Sequence, residues 1–272
     1  MLIVLFAWPA NVDIVLARYD EDTSWVQRFG SEARLLLYNK GPPLNGTIEL
    51  PNVGRESHTY LHHIVNNYDD LAHWTVFSQA QEPSYGYIDT KGHLSRGVAF
   101  DDYLREGQSS FWINTASVTA TGDWTFDHEN RMSYLERTGS DPSDRLRCPR
   151  SFDDFQATEN MGAFNQFVQD KCFPMRLSEF WMEYLGEDSN HMGTLYFPQG
   201  ARFAVNASQI RKRPKRFYEL LRDLLALDVD PCAGYYMEWT WPVIFGESGC
   251  PGLQGRRRPK DLFEHHILGT SF

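Results

Sequence analysis

Long apolar runs are missing from this chain. The most apolar stretch, 1-MLIVLFAWPA-10, falls well short of the roughly 20 residues needed to span a bilayer. It also lacks the basic residues that open a signal peptide. It reads either as what remains of a longer signal or anchor, or as a first strand, so the chain is expected to be soluble with no membrane span. Positive charge is in deficit: 26 Lys and Arg face 36 Asp and Glu, a net charge of −10. That balance argues against nucleic acid as a partner, because displacing counterions from phosphates takes a basic surface. The basic clusters 211-RKRPKR-216 and 256-RRRPK-260 read as solvated faces. Cysteine is scarce as well. None of Cys148, Cys172, Cys232 and Cys250 forms a CxxC pair, which excludes a zinc ribbon or a thioredoxin motif. Internal repeats and low-complexity tracts are absent.

Aromatic residues, by contrast, make up 14% of the 272 residues, enough to line a cleft suited to sugars or nucleobases as well as to fill a core. The sequons Asn45-Gly-Thr and Asn206-Ala-Ser, together with an even cysteine count, fit a glycoprotein with disulfides. They point to the secretory pathway, either the Golgi lumen or secretion, with a cytoplasmic location left open.

The first half alternates strand and helix signals. Strands are expected at 12–19, 34–41 and 73–79, separated by a short helix at 23–29, capped by Thr23 or Asp22, and a longer helix in 52-NVGRESHTYLHHIVNNYDDL-71. This is the rhythm of a parallel sheet. The fold class is therefore α/β, one domain over 1–272 with a mostly parallel central sheet flanked by helices. Residues 10–90 or so form its first half and about 150–272 its second. Residues 80–150 carry weak periodicity and read as polar loops. Beyond them, helices are expected near 152–170 and at 235–246, with an unassigned apolar region around 177–186 between them. Residues 194–225 read as a strand, a kink at Gly200, a strand and a helix with Phe217, Leu220, Leu221 and Leu224 facing inward.

Three groups of residues carry candidate chemistry. In an open parallel sheet, ligands bind beyond the carboxyl ends of the strands. Here those ends hold Arg18, Asp20, Glu21 and Asp22, then Asn39 and Lys40, then Gln79. The cations suit a diphosphate and the carboxylates suit ribose hydroxyls. The second group opens the 52–71 helix. Gly54, Arg55 and Glu56 are placed to touch a ligand, while His58 and His62 share a helical face and are able to ligate zinc with Glu56. The HExxH order is absent, and packing explains the histidines equally well. In the third group Glu238 lies between Trp239, Trp241 and further rings, so burial would tune it as a general base. The tryptophans offer faces to a sugar, opposite Gln199, Gly200 and Arg202.

Taken together, VDIVLARYDED, LLLYNKG, LPNVGRESHTYLHHIVNNYDDL, WTVFSQ, GARFAVNASQIRKRPKRFYELL and GYYMEWTWPVIFG resemble a eukaryotic domain-of-unknown-function family of fungi and algae. More distantly, the layout is similar to type A fold glycosyltransferases. That resemblance implies a nucleotide-sugar donor, a glycan or other hydroxyl acceptor, and an inverting mechanism with a carboxylate base. The family's Asp-x-Asp motif is replaced here by 77-FSQAQ-81, which implies either a metal-independent enzyme, with Arg and Lys neutralising the diphosphate, or a chain that is not a transferase; a role for Mn²⁺ or Mg²⁺ is left open. A metal-dependent hydrolase using Glu56, His58 and His62 and a noncatalytic glycan-binding module are the alternatives.

Overall fold

The computed structural model describes residues 12–84, 94, 99–104, 111–113, 116–119, 167–168, 170–172, 174–175, 177–185, 194–197 and 201–245. A sheet of order β3-β2-β1-β4-β8-β5 runs through them. Its strands are β1 (Val12–Arg18), β2 (Arg34–Asn39), β3 (Ile48–Glu49), β4 (Trp74–Gln79), β5 (Phe111–Ile113) and β8 (Phe203–Asn206). β1 pairs parallel with β2 and β4, and β2 with β3, whereas β8 runs antiparallel to both β4 and β5. A separate antiparallel pair joins β6 (Ala116–Thr119) to β7 (Thr194–Phe197).

The three long strands of the first half lie where the periodicity predicts them, because β-branched and apolar runs suit a sheet covered on both sides. Alternation along them feeds two cores. Ile14, Leu16, Trp74, Val76 and Ala204 pack on one face with Trp25, Val26 and Phe29 of a 3₁₀ helix, Ser24–Phe29. Val15, Phe77, Phe203 and Val205 pack on the other with α1 (Arg55–Asn66), α5 (Lys215–Leu225) and α6 (Cys232–Ile244). The connection from β1 to β2 therefore lies on one face and the α1 connection to β4 on the other. From β1 the chain moves outward to β2 and β3, then returns to β4 on the opposite side. Strand order thus reverses between β1 and β4, and that is where an open α/β sheet leaves a crevice.

Several expectations need correction. β3 forms an edge within what reads as a loop, and α2 (Asp101–Leu104), β5 and β6 occupy the region of weak periodicity. α3 (Leu177–Phe180) continues into a π turn, Trp181–Leu185. Most of the helix expected at 152–170 lies outside the described residues. Leu220 does not face the core: it is 56% exposed, and Tyr218, Leu221 and Leu225 are buried in its stead, with Phe217 and Leu224 packed beside them. The Asn206 sequon doubles as the cap of α4 (Ala207–Ile210), its Oδ1 accepting from the Gln209 N–H at 2.8 Å. Cys172 and Cys232 form a disulfide that ties the segment before α3 to the start of α6, while Cys148 and Cys250 lie outside the described residues. Among the described residues no helix is long and apolar enough to cross a membrane.

Candidate functional site

The loop from β3 into α1 is pinned by backbone strain and a buried amine. Gly54 adopts φ 64° and Arg55 φ 50°, both left-handed. Gly54 also lies hard against α5, since a Cβ there would come within 2.6 Å of His58 Cβ and 2.8 Å of both Leu225 Cβ and Leu225 O. Its own N–H donates to Asp228 O at 2.8 Å. Below the turn, Lys40 Nζ donates to Val53 O at 2.5 Å and to Arg55 O. Burial lowers the Lys40 pKa to about 8, with Glu56 acting in the opposite direction.

This turn delivers Arg55 and Glu56 into a polar cluster. The Arg55 guanidinium lies over the Tyr235 ring at 4.4 Å, with Glu56 Oε2 at 3.8 Å and Asp230 Oδ1 at 3.9 Å from its Nε. Gly234 leaves room for it, as a Cβ there would meet Arg55 Cδ at 3.4 Å. Burial opposes the charge on Arg55, but Glu56, Glu238, Tyr235 and Asp230 outweigh it and raise the pKa. Asp230 is shared, since Lys171 Nζ sits 2.9 Å from it and Tyr235 OH donates to it at 3.1 Å. The disulfide holds the neighbours of these groups together, because Lys171 precedes Cys172 and Asp230 lies two residues before Cys232.

The opposite side of the cluster comes from β8. The other left-handed non-glycine residue among those described is Ala201, at φ 49°, and it aims Arg202 across the sheet. Fully buried, Arg202 donates from Nε to Ser78 Oγ at 2.8 Å, at the carboxyl end of β4. Burial lowers its pKa, with Tyr103 and Tyr60 acting in the other direction. Strained backbone is held where surrounding contacts over-determine it, and functional sites are a frequent place for it. Here both strained residues adjoin one cluster. Tyr60 lies one turn beyond Glu56 on the same helical face, and burial raises its pKa well above normal, with Glu56 adding and Arg202 opposing. Glu56 and Glu238 keep 8% and 9% exposure. Arg55, Glu56 and Glu238 thus act on one another electrostatically, and Tyr60 couples them to Arg202 beside the β1/β4 reversal.

Of the residues predicted from sequence, Arg55, Glu56, Arg202 and Glu238 are brought together here, with Gly54 as the turn that makes it possible. The remaining strand-end residues mostly hold the fold. Arg18 donates to the carbonyls of Glu21, Tyr19 and Pro42 and to Asn39 Oδ1. Asn39 Nδ2 donates to Pro42 O and to the Glu49 carboxylate. Glu21 accepts from the Tyr19 and Asp20 N–H groups, and Asp22 from Ser24. Asp20 is exposed and Gln79 is partly buried at the end of β4. Trp239 and Trp241 are fully buried, so neither offers a face to a sugar. Trp241 stacks on Phe245 at 5.7 Å, because α6 is apolar on nearly every side and packs as a core helix. Gln199 and Gly200 lie outside the described residues.

The histidines divide by face. His58 and His62 approach to 6.3 Å between ring centres, and His62 hydrogen-bonds Asn66. Burial lowers the His58 pKa to about 4, helped by Lys40, and that of His62 likewise. His63 turns inward to Tyr38 OH at 3.0 Å, and burial takes its pKa to about 3. It is therefore neutral, and its 3.9 Å contact with Asp13 is not an ion pair; Asp13 instead takes both arms of Arg34. Glu56 lies about 200° around the helix from His58. Among the described residues no three His, Cys, Asp or Glu groups stand together to hold a metal ion.

Residues 14–99 and 113–255 match a family described as a protein of unknown function, DUF3431. The chain belongs to the DUF3431 family. The matched ranges span β1 to β4 and β8 to α6, and so include every member of the polar cluster. No curated protein and no solved structure matches the chain. Within this family member the sequence reading passes over Tyr60, Ser78, Lys171, Asp230 and Tyr235. Helical spacing signals two of them: Tyr60 is four residues after Glu56, and Tyr235 is three before Glu238.

Proposed function

We propose that this chain is a glycosyltransferase-like enzyme, moving a sugar from a nucleotide-sugar donor to a hydroxyl acceptor with Glu238 as general base. The observation that carries the reading is the electrostatic coupling of Glu238 to Arg55 and Tyr60, and of Tyr60 to Glu56 and Arg202, near the carboxyl edge of the sheet where strand order reverses. Glu238 takes the proton of the acceptor hydroxyl. The acceptor oxygen then bonds to the anomeric carbon as the bond from that carbon to the diphosphate breaks on the opposite face. Arg202 keeps its charge through the reaction and offsets the negative charge that develops on the leaving group, while Arg55, held among carboxylates, faces the sugar. In a site shielded from water such fixed charge is worth far more than in bulk. Arg18 and Lys40, whose donors serve backbone carbonyls, drop out of the diphosphate role.

The test combines turnover with binding. Release of free nucleotide is followed across a panel of nucleotide sugars, with and without Mn²⁺, in wild type and Glu238→Gln. A positioned base contributes about 10²–10⁴-fold, and a loss of that size is expected in the variant. Full turnover in Glu238→Gln overturns the assignment of the base. If no nucleoside diphosphate raises the melting temperature and no donor turns over, the transferase reading fails; glycan binding alone then identifies a noncatalytic module.

A further inference from the structure

Polar side chains on the first two turns of α1 leave hydrogen-bonding capacity unused inside the protein. Arg55 Nη1, Glu56 Oε1 and Tyr60 OH are each buried without a partner within the protein. A buried polar atom left so costs on the order of 1–3 kcal/mol; Ser57 Oγ, His58 Nδ1 and Thr59 Oγ1 on α1 are left so as well, but Arg55, Glu56 and Tyr60 are the ones coupled to Glu238 and Arg202. The phenol ring is fixed by Phe77 at 5.1 Å, Phe203 at 5.8 Å and Trp241 at 6.2 Å, so its hydroxyl cannot swing away to find a partner. Tyr60 is fully buried and Glu56 more than nine-tenths buried.

The three atoms differ in hydrogen-bonding sense. Arg55 Nη1 only donates, Glu56 Oε1 accepts, and the Tyr60 hydroxyl does either. A phosphate offers only acceptors and would face the Glu56 carboxylate. An ammonium offers only donors and would face the Arg55 guanidinium. Adjacent hydroxyls donate through one oxygen and accept through the next, and satisfy all three. The charges agree, since Arg55 is already surrounded by Glu56, Asp230 and Glu238, leaving no net attraction for an anion. We infer that Arg55, Glu56 and Tyr60 form a subsite for the vicinal hydroxyls of a neutral sugar, one that rejects sugar acids. The inference deepens the transferase reading and rests on it for the reaction that the bound sugar undergoes.

Saturation-transfer NMR on the full chain tests it, with glucose, galactose, mannose and N-acetylglucosamine as neutral probes, glucuronic acid as the acidic one and inorganic phosphate as competitor. At least one neutral hexose gives signal, glucuronic acid gives none, and phosphate fails to displace the hexose. Tyr60→Phe and Glu56→Gln each weaken binding by about 10-fold or more, as expected for a lost hydrogen bond to a buried or charged group. Tyr60→Phe keeps the ring, so its ligand-free melting temperature stays level or rises. Silence from every neutral hexose, wild-type binding in Tyr60→Phe, or displacement by phosphate overturns the subsite. Failure of nucleotide release leaves these binding readouts standing, so the two proposals fail separately.

Discussion

Replacing Gly54 by alanine probes the turn on which the candidate site depends. Two costs add there. The left-handed backbone at φ 64° disfavours any residue with a Cβ by about 1–2 kcal/mol. The new Cβ would also lie 2.6 Å from His58 Cβ and 2.8 Å from Leu225 Cβ and the Leu225 carbonyl. Two of those three contacts involve Leu225 on α5, one of them backbone, so the overlap is relieved only by moving α1 away from α5. Overpacking of that kind adds about 1–3 kcal/mol, for a total near 3 kcal/mol. Gly46 supplies the control: it too is left-handed, at φ 81°, but a Cβ there meets nothing within 4 Å. Gly46→Ala therefore carries the conformational cost alone. Urea unfolding of both variants should show a lower midpoint for Gly54→Ala, corresponding to about 1–3 kcal/mol less stability than Gly46→Ala. The shift of α1 should also misplace Arg55 and Glu56, so hexose binding falls in Gly54→Ala and not in Gly46→Ala. Equal midpoints for the two variants would refute the close approach of α1 to α5 and, with it, the placement of Arg55.

Reducing the Cys172–Cys232 bridge, which closes a loop with a sequence separation of 60, should cost about 4 kcal/mol on the chain-entropy argument. A drop in melting temperature of roughly 10 °C with reductant, reproduced by Cys232→Ser, checks this; an unchanged melt contradicts it. The histidines give a pH signature. His58 and His63 titrate near 4 and 3 in the folded chain against about 6.5 when unfolded. Between those values the unfolded chain binds more protons, so stability falls as pH drops below about 6.5 and is unaffected by these groups above it. Unfolding midpoints measured between pH 4 and 8 should show that slope, and His63→Gln should flatten it; a flat profile in the wild type would place the histidines in solvent.

Much of the first half was legible in the sequence because its signals are local. Apolar β-branched runs in 12–18, 34–39 and 74–79 and the helical spacing of Leu61, Ile64 and Val65 need no distant partner to declare an element. Glycine at 54 followed by Arg-Glu marks a turn into a helix, and the chain does turn there, with Gly54 and Arg55 both left-handed. The β5 and β6 strands escaped because short strands are stabilised by pairing with β8 and β7, far along the chain, rather than by their own pattern. Leu220 misled for a related reason. A helix with apolar residues on more than one side is oriented by whatever it packs against, and α5 turns Tyr218 and Leu221 inward.

The sequence by itself determined the fold class, the α1 turn and the residue types at the site: two arginines, two glutamates and rings nearby. It could not decide which polar residues are free to act. Arg18, Asn39 and Lys40 look like a ligand-binding rim, but their donors are taken by the protein's own carbonyls and carboxylates. Trp239 and Trp241 look like a sugar platform, but α6 is enclosed by β8, α1 and α3. Only tertiary structure assigns hydrogen-bond partners, because a partner is a matter of position in space, and Arg55 is brought to Glu238 nowhere else.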